Sequence, residues 1–198
     1  MSADETRRRI LEEAIGVIDD GGEDSLRVAD VARRAGVTQG MVTYHFRTRH
    51  RLVAEAQLER YRSTMSLDIK VLLSIVDSVH EVDTLLELGR RFTDLLFTPD
   101  RVIARRARIN AIGFALGDEE VRAQLQRAGT ESVGEFAAFF EVLAGRGLLR
   151  PGVSPRAAAT VITAYGIGMV QWDLDEEPAS AAEVAEVINT FLRSITRP

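Results

Sequence analysis

The sequence predicts an all-α protein, with an N-terminal three-helix unit built around a helix-turn-helix and a larger C-terminal helical body. Apolar residues recur at helical spacing in one segment after another, and no strand pattern, internal repeat or low-complexity tract occurs. The stretch VADVARRAGVTQGMVTYHFRTRHR, residues 28–51, has the turn chemistry of two crossed helices. Charge is also divided along the chain. Residues 27–51 hold six arginines against one acidic residue, a net +5, whereas residues 52–198 hold 16 basic and 21 acidic residues, a net −5. The overall charge of −5 in 198 residues therefore describes a basic head on an acidic body.

The first helix is expected from Asp4 to about Asp20. Ile10, Ala14, Val17 and Ile18 line its inner face, acidic residues open it and Gly21-Gly22 ends it. It should brace the reading unit, with Arg7, Arg8 and Arg9 either within reach of phosphate or forming salt bridges in solvent. Val28, Val31, Ala32 and Ala35 then recur at i, i+3, i+4 and i+7, the buried face of a short helix. Gly36 falls where the chain must turn with positive φ, a conformation that strains other residues. Val37 is the apolar plug of that turn, and Thr38 has the side chain to cap the next helix.

That next helix, Gln39 to about Phe46, is two-faced. Val42 and Phe46 are four residues apart and point inward together, which leaves Gln39, Gly40, Thr43 and Tyr44 outward. An amide, a hydroxyl, an aromatic ring and bare backbone on one helix suit a groove of duplex DNA. Arg47, Arg49 and Arg51 follow at once, placing positive charge where phosphates would flank an inserted helix.

The run GVTQGMVTYHFRTRHRL, Gly36 to Leu52, resembles the TetR-type one-component bacterial regulators. It has their turn glycine, apolar residue, Ser/Thr cap, short recognition helix, His-Phe pair and basic start to a fourth helix, and ILEEAIGVIDDGG is similar to their first helix. The resemblance implies that Thr38, His45 and Arg49 touch phosphate, and that Gln39, Gly40, Met41, Thr43 and Tyr44 form the surface that reads bases or lines the groove. Thr43 stands where the family most often has a tyrosine and Ala29 where an arginine is common. Tyr44 and Arg27 are the expected replacements for those backbone contacts. Residues 1–48 are accordingly expected to form the DNA-binding domain and 49–198 a helical effector-binding and dimerisation domain.

From Arg49 a long helix continues through Leu52, Val53, Ala56 and Tyr61, the natural lever between body and DNA. A break near Asp77–Glu81 precedes Val82–Phe97, whose Leu85, Leu86, Leu88, Phe92, Leu95 and Leu96 are too broadly apolar for a surface helix and place it centrally in the body. Thr98-Pro99-Asp100 starts a helix from about Arg101 to Leu116. Gly117-Asp118 marks the join to another, Glu119 to Ala144, and Gly145–Pro155 is a turn-rich connection. The last two helices are expected at about Pro155–Leu174 and Ser180–Thr196.

The final pair points to assembly. Val184, Val187, Ile188, Phe191 and Ile195 form one stripe, and Val161, Ala164, Tyr165 and Gly168 make the preceding helix small and apolar. Two such helices can pack with their copies as a four-helix interface or close the monomer's own core. A single short recognition helix reads few base pairs, so a homodimer on a pseudo-palindromic operator is expected. Phe92, Leu96, Arg108, Asn110, Phe114, Tyr165, Met169 and Trp172 are candidate walls of an effector cavity, since they mix apolar surface with a few polar groups. The resemblance implies a repressor, with a ligand there moving the two heads apart, and the mixture suits a small, mostly apolar organic ligand. The alternative is a constitutive DNA-binding or protein-interaction factor without an effector.

Other classes find little support. The histidines His45, His50 and His80 have no metal-ligand spacing and no cysteine partners, and no GxSxG, GxGxxG or P-loop occurs. No catalytic residue, metal or cofactor is therefore expected. The longest uncharged run, Ala157–Trp172, spans 16 residues, short of the roughly 20 apolar residues that cross a bilayer. With no cysteine and no apolar leader, a cytoplasmic protein without a membrane partner is expected.

Overall fold

The computed structural model describes residues 2–197. Among the described residues ten α-helices follow in order: α1 (Ala3–Gly21), α2 (Val28–Arg34), α3 (Gln39–Phe46), α4 (Arg49–Ile75), α5 (Val82–Leu95), α6 (Pro99–Leu116), α7 (Glu119–Gly145), α8 (Pro155–Gly168), α9 (Val170–Asp173) and α10 (Ala181–Ile195). Among the described residues there is no strand, only an isolated antiparallel bridge between Leu149 and Thr196. No described helix is long and apolar enough to cross a membrane. The chain divides into two packing units, residues 1–63 with 110–125, and residues 64–109 with 126–198.

In the first unit, Ser2 caps α1 by accepting from the Glu5 amide at 3.1 Å. Gly22, at φ 76°, ends that helix. Ile10, Ala14 and Ile18 of α1 meet Val31 and Ala32 of α2, Val42 and Phe46 of α3, and Leu52, Val53 and Ala56 of α4 in one buried cluster. A smaller cluster joins Ala54 and Leu58 of α4 to Ala115 of α6 and Val121 of α7. Polar ties reinforce the same elements. Arg60 of α4 donates to Asp19 of α1 at 2.6 and 2.9 Å, and Arg7 pairs with Glu55 while lying over the Phe46 ring. At the start of α4, His50 bonds Asp118 at 2.7 Å and Arg51 donates to Glu120 at 2.6 Å. The His50 bond holds the Asp118 carboxyl below its ordinary value, and the Glu120 bond raises the Arg51 guanidinium.

In the second unit, Met65, Ile69 and Leu72 of α4, Phe136, Phe139, Phe140 and Leu143 of α7, Ala158 and Ala159 of α8 and Ile188 of α10 are buried. Arg146 closes the turn between α4 and α5 by donating to the carbonyls of Val76 and Val79. The residues after α10 lie along the α7–α8 connection, with Arg150 N donating to Ile195 O and Arg197 N to Leu148 O. Ser180 and Glu183 cap α10 reciprocally, satisfying two otherwise orphaned amides. The α5 backbone comes close to α10 at Gly89, where an added Cβ would meet Leu192 Cδ1 at 2.8 Å.

Two elements depart from the sequence expectation. The helix at 82–95 is not wholly enclosed: Leu85, Leu86, Leu88 and Phe92 are half-buried and wall a cavity, and Leu95 is 39% exposed. The helix expected at 155–174 is interrupted at Met169. There the following amides bond three residues back, as Trp172 N does to Met169 O, which tightens the chain into the short α9.

Candidate functional site

The recognition geometry begins at the α2–α3 turn. Val37 N donates to Ala32 O at 2.9 Å and Gly36 takes φ 61°, a left-handed conformation that a side chain would strain. Thr38 then caps α3, its hydroxyl accepting from the Met41 amide at 3.2 Å. Val42 and Phe46 anchor the helix in the core at 2% exposure each. With that face fixed, Gln39, Gly40, Met41, Thr43 and Tyr44 are exposed, and Tyr44 stands 80% clear of the protein, edge-on to the His45 ring.

The six arginines of residues 27–51 are not equivalent. Arg33 pairs with Asp30, Arg34 with Asp20 and Arg51 with Glu120. Arg49 donates from Nε to Leu26 O at 2.9 Å and from Nη2 to Glu23 O, while Arg27 Nη1 bonds the Asp24 and Leu26 carbonyls. Both therefore clamp the 23–26 turn. Among the described residues, Arg47 is the one arginine of the six whose guanidinium makes no hydrogen bond or ion pair. It is exposed at φ 62°, ψ −54°, and Thr48 N donates across it to Phe46 O at 2.7 Å, forming a strained γ-turn between α3 and α4.

The second unit contains an apolar cavity between α4, α5, α7, α8 and α10. It offers about 70 Å³ to the centre of a water molecule and is walled by side chains such as Leu86, Phe92, Phe140, Ile162, Ile188 and Leu192. A smaller pocket of about 20 Å³ shares Phe92, Leu96, Ile162 and Gly166 with it and carries Asp68, Arg101, Arg105 and Arg108. Arg105 is 1% exposed and satisfied, donating to both Asp173 oxygens at 2.5 and 2.7 Å and to Leu96 O at 2.6 Å. Asp68 lies between Arg108, at 2.6 Å, and Arg101. Burial, then the charges of Arg108 and Arg105, lower the Arg101 guanidinium from its ordinary value. Tyr165 lines the apolar cavity with a buried hydroxyl that has no hydrogen-bond partner among the described residues. Burial pushes that phenol up to about 12 against an opposing pull from Arg105.

On the remaining surface, Val161, Ala164 and Gly168 of α8 are exposed, as are Val187 (71%) and Phe191 (37%) of α10.

Residues 10–56 match the family model of the bacterial regulatory proteins, tetR family. The N-terminal segment of the chain is thus similar to that family. One curated relative is the A-factor receptor protein of Streptomyces griseus, 25% identical over 196 residues, which cover 98% of this chain and 65% of that protein. The chain thus spans just under two thirds of that relative's length. Among solved structures, the fold is similar to one from Mesorhizobium loti described as a TetR-family transcriptional regulator (TM-score 0.73, 20% identity, covering 98% of this chain and 96% of that one). It is also similar to a transcriptional regulator from Saccharomonospora viridis in complex with choline (TM-score 0.71, 20% identity, covering 98% and 100%).

Within this chain, the residues singled out from sequence are distributed as follows. Thr38, Gln39, Gly40, Met41, Thr43, Tyr44, His45 and Arg47 lie on or beside α3, whereas Arg27 and Arg49 are tied to backbone carbonyls. Of the cavity candidates, Phe92, Leu96 and Tyr165 line the apolar cavity and Arg108 the charged pocket. Asn110 and Phe114 lie outside both linings. Asn110 is exposed, and Phe114 packs into the first unit and stacks on His50 at 5.1 Å. Met169 is buried without reaching the cavity, and Trp172 packs on Phe97 and donates to Ala179 O at 2.7 Å. Of the interface candidates, Tyr165, Ile188 and Ile195 face their own chain's cavity and Val184 is half-buried. The sequence reading missed Arg101, Arg105, Asp68 and Asp173. Arg101, Arg105 and Arg108 stand at i, i+4 and i+7 on α6, which was a signal, but arginines at helical spacing ordinarily mark a solvated face.

Proposed function

We propose that this chain is a tetR-family transcriptional regulator, a cytoplasmic repressor that binds a pseudo-palindromic operator as a homodimer and is released by a small, mostly apolar ligand. The carrying observation is the outward surface of α3, a helix capped at Thr38 and anchored through Val42 and Phe46. Gln39, Gly40, Met41, Thr43 and Tyr44 then read or line the major groove, while Thr38, His45 and Arg47 meet phosphate. Arg27 and Arg49 hold the turn beside them and meet phosphate with whatever donors remain. By role rather than by packing, residues 1–48 carry DNA contacts and 49–198 carry effector binding and dimerisation.

Dimerisation is assigned to α8 and α10, whose exposed Val161, Ala164, Gly168, Val187 and Phe191 are apolar or small. The effector is assigned to the cavity, where Phe92, Leu96 and Tyr165 contribute to an almost wholly apolar lining. The relatives support an effector: one is named as a receptor and another was solved with choline. A ligand that enlarges the cavity would favour a state in which the paired α3 helices no longer fit successive grooves.

The test is selection of bound duplexes from a random pool, followed by light scattering of the complex and a screen for compounds that release it. Expected are a two-fold-symmetric consensus, an even number of chains per duplex and at least one releasing compound. A consensus without symmetry, or one chain per duplex, would overturn the dimeric reading.

A further inference from the structure

The chemical class of the effector follows from how the apolar cavity meets the charged pocket, an inference that rests on the cavity being the effector site. The two spaces share four wall residues, Phe92, Leu96, Ile162 and Gly166, so the charged side chains of the second stand next to the apolar space. Those side chains do not balance. Arg101, Arg105 and Arg108 bring three positive charges, and Asp68 and Asp173 bring two negative ones. A buried surplus cation is costly unless an anion meets it.

The three arginines also differ in what they have left to offer. Arg105 has its bonds to Asp173 and Leu96 O, and Arg108 is held by Thr64 and Asp68. Arg101 meets Asp68 through Nη1, and among the described residues its Nε and Nη2 make no further bond. Burial and the flanking guanidiniums disfavour its charge, and an incoming anion would relieve that. The unpartnered Tyr165 hydroxyl adds a second polar point in a lining whose other polar side chains are Thr93 and Thr196.

We propose that the effector is an amphipathic anion. Its apolar chain or ring lies in the cavity between α5, α8 and α10, a carboxylate head binds Arg101, and the Tyr165 hydroxyl serves as a second donor. A cationic ligand such as a quaternary ammonium would face three guanidiniums and is selected against. This chain therefore differs in ligand charge from the Saccharomonospora viridis regulator solved with choline.

The test is calorimetric titration of the full-length protein with three probes of equal chain length: decanoate, 1-decanol and decyltrimethylammonium. Decanoate is expected to bind at least about tenfold more tightly than either of the others. Arg101→Gln should cost decanoate about tenfold and leave 1-decanol unchanged, and Arg101→Lys should recover part of the loss. Asp68 keeps Arg108 in the glutamine variant, so the fold should persist. Tyr165→Phe, expected to weaken decanoate about threefold, gives an independent check. Binding of 1-decanol or the cation as tightly as decanoate, indifference of decanoate to Arg101→Gln, or no binding of any probe would each overturn the inference. Failure of the effector site itself looks different: Leu86→Trp, which fills the cavity, would then leave ligand-driven release from the operator intact.

Discussion

Replacing Arg47 separates stability from DNA affinity, because this residue carries both backbone strain and an unpaired charge. At φ 62°, ψ −54° it sits in a conformation that costs a side-chain-bearing residue about 1–3 kcal/mol. Glycine escapes that cost but adds about 0.4–1 kcal/mol of freedom to the unfolded chain. Arg47→Gly should therefore exceed Arg47→Ala in stability by about 1 kcal/mol, or about 2–4 °C in melting temperature for a chain of this size. Both variants lose the same cation, so both should weaken all duplexes alike and reduce the slope of log affinity against log salt by about 0.9 per protomer. Thermal unfolding and fluorescence anisotropy over a salt series measure the two effects. Equal stability of the alanine and glycine variants would refute the strain argument. An unchanged salt slope would refute the phosphate contact.

Tyr44→Ala and Gln39→Ala should each cost about 1–3 kcal/mol on the selected operator and little on random duplex, with melting temperature nearly unchanged because both side chains are exposed. Equal losses on both duplexes would remove them from base reading. Phe191→Asp should raise the dimer dissociation constant at least about a hundredfold, since it places a charge in a desolvated contact, and light scattering at micromolar concentration would then show monomer. A dimeric mass would move the interface elsewhere. In an alkaline ultraviolet titration, one of the three tyrosines should ionise near pH 12. Because the folded value is raised, the neutral phenol contributes stability fully below the ordinary value of 10.0, and the contribution is lost as pH climbs toward about 12. Tyr165→Phe should delete that late step, and its persistence would reassign it.

Helix α3 was legible in the sequence because each of its requirements is local. The Gly36 turn, the Thr38 cap and the Val42–Phe46 pair depend on neighbours within a few residues, and all three occur as expected. The body was legible as helices but less so as a site. Periodicity gives the apolar face of α5, but not that the face borders a void, so Leu85 and Leu88 read as enclosed when they are half-buried. The stripe on α10 likewise reads as one surface. The structure divides it between the cavity (Ile188, Ile195) and solvent (Val187, Phe191), a partition that depends on where α5 and α8 pack. The pairing of Asp68 with Arg101 and Arg108, and of Arg105 with Asp173, spans from 33 to 68 positions, beyond any local pattern.

The packing around α4 bears on any attempt to transplant the α2–α3 segment onto another protein. Ala54 and Leu58 are closed over by Ala115 and Val121, far downstream, and His50 and Arg51 find their acids at Asp118 and Glu120. A chimera spliced at a single point after α3 or within α4 would leave those side chains facing a foreign surface. A graft that also carries residues 110–125 would keep both clusters and both ion pairs intact.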